Sequence, residues 1–318
     1  MRINQFRPGK SIRVESPAKL NLILEVLSKR ADGYHDIASV LCPIDLWDVL
    51  EIGLLDSSEV RLELRVPQGG HEQDSAWKIP NNEDNLVIKA AKLVRQATGE
   101  SAGCRIKLEK LIPASAGLGG GSGNAAATIV GYLLLLNRWD RVLAGDLCQQ
   151  LGSDLNFFLG TEQGFGLTKS EGRGEKTSLI SHFPSLSFWL THPSLGCSTA
   201  AVYSKVFKVE NLKKLSEFVA ACETGQNSKI GASLFNALQL PASELNPWIE
   251  VQMQLLQDCG CRYRQMTGSG SCCFGLRPES GLFEFLKTEA EARGVPRVYQ
   301  SDIWYGPSIE QQLAQSMV

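Results

Sequence analysis

The sequence predicts an α+β protein of two domains, and three observations carry that prediction. Period-two apolar stretches and helix-period stretches are interleaved along the chain and are not sorted into halves. A chain of 318 residues is long enough for two ordinary domains with sizeable cores. A glycine-punctuated stretch, GTEQGFGLTKSEGRGEKT at 160–177, breaks the pattern near its middle and sets the expected division into residues 1–160 and 161–318.

The elements follow in order. KLNLILEVL (19–27) alternates so that Leu20, Leu22, Leu24 and Val26 share one face of a strand, leaving Lys19 and Asn21 together on the other. EVRLELRV (59–66) and CRIKLEK (104–110) read as further strands, and EDNLVIKAAKLVRQATGE (83–100) as an amphipathic helix stopped by Gly99. Helices are expected over about 122–136 and 141–151, then a short one begun by SDLNFF with Ser153 as its N-cap. The second half offers a strand SFWLTH (187–192), helices near 199–207, 211–223 and 245–258, and a hairpin over 262–276. An exposed-looking helix at 280–293 and a strand PRVYQS complete the pattern.

Composition narrows the function. With 43% hydrophobic and 21% charged residues the chain is a soluble globular type, and 32 basic against 34 acidic residues leave no nucleic-acid footprint. Nine cysteines, an odd number scattered from Cys42 to Cys273, follow an opening without the apolar core of a signal peptide, so a reducing cytoplasm is expected, with the thiols as small buried hydrophobes. Neither Cys259-Gly-Cys261 nor Cys272-Cys273 is a zinc-type pair, and the four histidines form no HExxH; no structural metal is expected. The longest apolar run, about Thr128 to Leu136, is well short of the roughly 20 residues that span a bilayer.

The most informative stretch is PASAGLGGGSGNAAATI (113–129), with five glycines among the seven residues Gly117 to Gly123 and an alanine-rich helix directly after. Amides at a helix start are unpaired and lie at its positive end, so a bare backbone there can wrap phosphate. GxGxxG fails, because its sixth position is Ser122 counted from Gly117 and Asn124 counted from Gly119; GxxxxGK[ST] fails because no lysine follows. A flexible connector is the plainer alternative, but the strand before it, the helix after it and Pro113 at its edge favour phosphate.

PAKLNL, PASAGLGGGSGNAAA and MTGSGS, in that order, resemble the three motifs of the GHMP kinases, the superfamily named after galactokinase, homoserine kinase, mevalonate kinase and phosphomevalonate kinase. Within it RADGYHDI, EDNLV, GLGGG and LGSDLNFFLG are similar to the 4-diphosphocytidyl-2-C-methyl-D-erythritol kinases, over about residues 11–276. The resemblance implies a two-domain fold with the active site in the interdomain cleft, and ATP-dependent phosphorylation of the 2-hydroxyl of a cytidine-diphosphate-linked methylerythritol in non-mevalonate isoprenoid synthesis. ATP with Mg2+ is the implied cofactor, and a monomer or weak homodimer the implied state.

The resemblance also implies roles. Gly117, Leu118, Gly119, Gly120, Gly121 and Ser122, with Pro113, would hold the triphosphate, while Asn85 and Lys110 would face the adenine. Asp154 would take or orient the proton of the attacking hydroxyl, and Lys19 would be its electrostatic partner. Asn21 would orient the polyol; Tyr34, His35 and Tyr203, with nearby Thr199, would hold the cytidine end; Gly268, Ser269 and Gly270 would close over the diphosphate. Each has a plainer reading: Asp154 as an acid in a first helical turn, Lys19 as a solvated strand-end lysine, Asn85 as a helix cap, Tyr203 as a core aromatic. Three places depart from the family pattern: Gly123 replaces a second serine, Leu155-Asn156 replaces Val-Pro, and Asn236-Ala237-Leu238-Gln239 replaces Asn-Asp-Leu-Glu. Another acceptor on the same fold, or a silent nucleotide or metabolite sensor, are the competing readings.

Overall fold

Two long antiparallel strands organise the fold, whose computed structural model describes residues 1–67, 74–182, 184–206 and 213–316. In chain order the first strands are β1 (Arg2–Arg7), β2 (Ser11–Lys29), β3 (His35–Leu55), β4 (Val60–Arg65), β5 (Gly103–Glu109), β6 (Thr168–Gly172) and β7 (Lys176–Leu179). The rest are β8 (Ser187–His192), β9 (Phe235–Asn236), β10 (Arg264–Met266), β11 (Cys273–Leu276) and β12 (Arg297–Asp302).

β2 and β3 pair along nearly their whole length, and each changes its outer neighbour part-way. β3 pairs with β6 over Ile37–Leu41 and with β5 from Val49 onward. Pro43, which has no N–H to give, falls between those two ladders, and for that reason a proline is tolerated inside a central strand. A proline in an unbroken apolar run hides such a strand from pattern reading, and β3 was not expected. β1 and β9 flank β2, and β4 extends the sheet beyond β5, so strands from both halves of the chain share the larger sheet. The smaller sheet has the order β10-β11-β8-β12.

Three helices cover the larger sheet: α1 (Leu86–Thr98), α2 (Gly120–Leu135) and α3 (Arg141–Leu151). α2 lies in the middle with Ala125 to Leu135 buried, in one core with Ile12, Val14, Leu50, Ile52 and Ile106 of the strands. Gly99 ends α1 in the left-handed region, as expected, and Asp140 caps α3 by accepting from the Leu143 amide at 2.8 Å. The short element after α3 is a 3-10 helix, Leu155–Leu159, and its cap position is Asp154, not the expected Ser153. Asp154 makes no capping bond there, so its carboxylate is free for other work.

The second half adds α4 (Thr199–Ser204), α5 (Lys214–Glu223), α6 (Asn227–Ala232), α7 (Gln239–Leu245), α8 (Trp248–Asp258), α9 (Phe283–Ala292) and α10 (Ile309–Ser316). The expected helices at 199–207 and 211–223 are α4 and α5; residues 207 and 211–212 lie outside the described residues. The expected helix at 245–258 is α8, which begins three residues later after the Asn246-Pro247 turn, and α7 before that turn was not expected. α9 is not wholly exposed: Leu286 and Ala290 are buried while Leu282 and Phe285 face outward. All nine cysteines are free, eight are buried and Cys197 is half-buried. No described helix is long and apolar enough to cross a membrane.

Candidate active site

The site starts from an interruption in β2. The β2–β3 register shifts between Pro17 and Ala18 and again between Asn21 and Ile23, and such bulges re-aim side chains. Between the shifts Lys19 and Asn21 point together into a cavity of about 870 Å3. After the second shift the parity changes, so Leu24, expected to share a face with Leu20 and Leu22, joins the cavity lining instead. Backbone bonds fix the strand there: the Lys19 amide donates to the Leu118 carbonyl and the Asn21 amide to Thr267 Oγ1, each at 3.0 Å.

The glycine loop forms the opposite wall. The carbonyls of Ser115, Ala116 and Leu118 accept from Cys197, Cys272 and Lys19, which turns them toward neighbouring segments. Gly119 caps α2 with φ 71° and has no side chain to offer, so the amides of Gly120, Gly121 and Ser122 remain without an intrahelical partner. A Cβ at Gly119 would lie 2.7 Å from Phe158 and 3.0 Å from the Lys19 stem, so the close approach itself requires glycine. Pro113, Gly117, Leu118, Gly119, Gly120, Gly121 and Ser122 all line the cavity. Unpaired amides at the positive end of a buried helix make an anion site.

Asp154 stands at the end of this loop wall. Ser122 Oγ donates to its Oδ1 at 3.0 Å. Lys19 is only 6% exposed, so it is no solvated strand-end lysine, and its Nζ donates to Asn21 Oδ1. Burial pulls the Lys19 ammonium down to about 8, while the negative charge of Asp154 acts in the opposite direction. Asn21 is itself oriented, because its Nδ2 donates to Ser39 Oγ at 2.8 Å. Lysine, carboxylate and amide donors thus converge on one space, the arrangement that phosphoryl transfer needs.

The remaining wall is aromatic and polar. The His35 and Tyr203 rings stack with centroids 5.2 Å apart, and Tyr34 is 55% exposed with the Arg173 guanidinium 5.0 Å from its ring. Burial, with a contribution from Asp154, pushes the Tyr203 phenol up to about 12; burial and Lys29 lower the His35 imidazole. Thr199 Oγ1 is 2.8 Å from Ser269 Oγ, which ties α4 to the Gly268-Ser269-Gly270 turn. That turn is held from below: Asn236 Nδ2 donates to the carbonyls of Met266 and Gly268, and Gln239 Oε1 accepts from the Met266 amide. The departing Asn-Ala-Leu-Gln signature therefore has a positioning task that an amide at either end performs.

Two expected residues are placed elsewhere. Asn85 does not line the cavity; its Oδ1 caps α1 by accepting from the Val87 amide at 2.9 Å, and its Nδ2 donates to the Pro80 carbonyl. Lys110 is buried beneath the loop in an ion pair with Asp48, whose carboxylate also accepts from the Leu111 and Ile112 amides and from Asn124. The polar atoms of both side chains are engaged within the protein. The departure at Gly123 is also spatial, since a Cβ there would collide with Ser16 Oγ and come within 3.1 Å of Phe158.

Sequence reading missed Lys29, Ser153, Ser170, Arg173 and Cys197, which line the same cavity. The signal for Arg173 was its position between two glycines in the stretch at 160–177, a turn exposing one long cation. Among the described residues no cluster of three or more His, Cys, Asp or Glu suits a metal.

Known proteins are similar to this chain in sequence and fold. Residues 85–161 match the GHMP kinases N terminal domain and residues 218–294 the GHMP kinases C terminal family. The chain is 37% identical to the 4-diphosphocytidyl-2-C-methyl-D-erythritol kinase of Pelotomaculum thermopropionicum over 265 residues, 81% of this chain and 86% of the relative. It is similar to a crystal structure of a 4-(cytidine 5'-diphospho)-2C-methyl-D-erythritol kinase with TM-score 0.68 and 30% identity, over 93% of this chain and 100% of that one. A homoserine kinase from Cytophaga hutchinsonii shares the fold at TM-score 0.69 with 17% identity, over 96% and 98% of the two chains.

Proposed function

Because the chain belongs to the 4-diphosphocytidyl-2-C-methyl-D-erythritol kinases, within the GHMP kinases, we propose that it transfers the γ-phosphoryl group of ATP to the 2-hydroxyl of 4-diphosphocytidyl-2-C-methyl-D-erythritol, a step of non-mevalonate isoprenoid synthesis. The observation that carries the reading is the convergence of Lys19, Asp154 and the unpaired amides of Gly120 to Ser122 on one cavity.

In this mechanism the loop amides hold the donor phosphates, and the field of α2 opposes their charge. Asp154 accepts or orients the proton of the attacking hydroxyl, which places it in line with the γ-phosphorus. Lys19 keeps Asp154 ionised and stabilises charge on the transferred group. Asn21 fixes the Lys19 ammonium. Tyr34, His35 and Tyr203 take the cytidine end, and Thr199 with Gly268, Ser269 and Gly270 closes over the acceptor. Residues 1–160 supply the nucleotide side, and residues 161–318 supply Thr199, Tyr203 and the 268–270 turn. Asn85 and Lys110 support the nucleotide side from behind, through α1 and the Asp48 network.

Magnesium accompanies the nucleotide in this reading. Ser122 Oγ and the Asp154 carboxylate fit an ion that takes one or two carboxylates and completes its shell with phosphate oxygens and water. They would hold it, and it would neutralise phosphate charge. A monomer or a weak homodimer goes with this reading, and nine free thiols suit a reducing cytoplasm.

The test is magnesium-dependent ADP release with the cytidylated acceptor beside homoserine, mevalonate and galactose. Turnover with the cytidylated compound alone is expected; turnover with another of the four instead overturns the acceptor assignment.

A further inference from the structure

The charged groups that line the cavity are three cations, Lys19, Lys29 and Arg173, and one carboxylate, Asp154. Lys19 belongs to the reacting centre and Lys29 is exposed at the end of β2. Arg173 has no role yet. Among the described residues its guanidinium is in no ion pair; it lies 5.0 Å from the centroid of Tyr34, and the nearby Asp32 is engaged by Arg30.

The turn that carries Arg173 is built to hold it. Gly172 and Gly174 on either side have φ of 72° and 121°, and the Gly174 amide donates to the Glu171 carbonyl. Ser170 Oγ donates to the Gly174 carbonyl at 2.8 Å, and the Arg173 amide donates to Glu175 Oε2 at 2.7 Å. Asn156, which stands where the family pattern has proline, donates from Nδ2 to the Glu175 carbonyl at 3.3 Å. Gly174 also packs beside Ser153, the residue before Asp154. The turn is therefore tied to the segment that carries the carboxylate, and it presents a cation at the acceptor end of the same space.

We propose that Arg173 binds the diphosphate of the acceptor and so selects a nucleoside-diphosphate-linked alcohol over a free alcohol. The inference rests on the kinase reading above. A diphosphate is joined to its base through a single ribose, so a cation beside the ring assigned to the base is well placed to reach it. The guanidinium fork matches phosphate oxygens in a two-point contact that lysine cannot reproduce. Free alcohols such as homoserine leave this cation without a partner, a penalty that adds to selectivity.

Wild type, Arg173→Ala and Arg173→Lys are compared in steady-state assays with ATP and the cytidylated acceptor, and by calorimetric titration with CDP and with cytidine. Arg173→Ala is expected to raise the acceptor KM about 10- to 100-fold, the scale of a charge-assisted contact. The ATP KM and kcat stay within about threefold, because uniform binding of the acceptor is what is lost. CDP binding weakens in parallel while cytidine binding does not, and Arg173→Lys recovers part of the loss. A rise in the ATP KM in place of the acceptor KM overturns the proposal, as does an equal weakening of CDP and cytidine. If wild type binds CDP through Arg173 yet phosphorylates no cytidylated acceptor, the kinase reading falls and the subsite stands. If CDP binds wild type and Arg173→Ala equally, the subsite falls and the kinase reading stands.

Discussion

Ser122 Oγ donates to Asp154 Oδ1 at 3.0 Å, so the first turn of α2 and the segment after α3 meet at the carboxylate that lines the cavity. The bond joins the end of a helix assigned to the donor phosphates to the group assigned to the acceptor hydroxyl. Asp154→Asn keeps this geometry and removes the base. It is expected to lower kcat about 10²- to 10⁴-fold, the usual scale of acid–base assistance, while a titration with magnesium-free ATP shows affinity close to wild type. A kcat near wild type would reduce Asp154 to a structural acid.

The depressed Lys19 ammonium gives a pH signature. Burial lowers it to about 8 despite Asp154, so in the free enzyme the charged form is lost as pH rises through about 8. The kcat/KM profile reports the free enzyme and is expected to fall on that alkaline side, where an ordinary lysine would stay charged to about 10.4. Lys19→Met should lower activity and abolish that limb. Stability moves the other way: between about 8 and 10.4 the unfolded chain binds the extra proton, so the Lys19 contribution is fully present above that window and is lost as pH falls toward 8. Urea titrations of wild type and Lys19→Met across this range test the sign.

Lys110 and Asn85 are predicted to act on stability. Lys110→Met leaves the fully buried Asp48 carboxylate without its cation, and a broken buried pair costs about 3–5 kcal/mol in denaturant unfolding. Asn85→Ala removes the α1 cap, which costs about 1 kcal/mol. If Asn85→Ala instead raises the ATP KM without loss of stability, Asn85 serves the nucleotide directly.

Gly123 is glycine for want of room. Gly123→Ser pushes a Cβ against Ser16 Oγ and Phe158, and is expected to destabilise by about 1–3 kcal/mol. Ser16→Ala removes the colliding hydroxyl, so a double-mutant cycle should recover part of the loss as a favourable coupling. Strict additivity would show that the two positions do not meet.

Much of this was legible in the chain itself. The glycine loop, its following helix, the α1 stop at Gly99 and the lysine-asparagine pair on β2 all follow from local rules of backbone freedom, capping and period. Other features were not legible, because they depend on partners far along the chain. Pro43 argues against a central strand until it is seen to sit between the β5 and β6 ladders. Lys110 reads as available until Asp48, 62 residues away, claims it.

What the sequence determined by itself was the fold class, the glycine-rich loop at a helix start and the identity of the chemical groups, since each is written in a short window where one residue type is needed for one backbone conformation. What only the tertiary structure decided was which of those groups meet. Bulges in β2 turn Lys19 toward Asp154, and β6, paired to β3, brings the Arg173 turn beside Tyr34. Sheet order and register set those distances, and both arise from packing between segments that no local pattern connects.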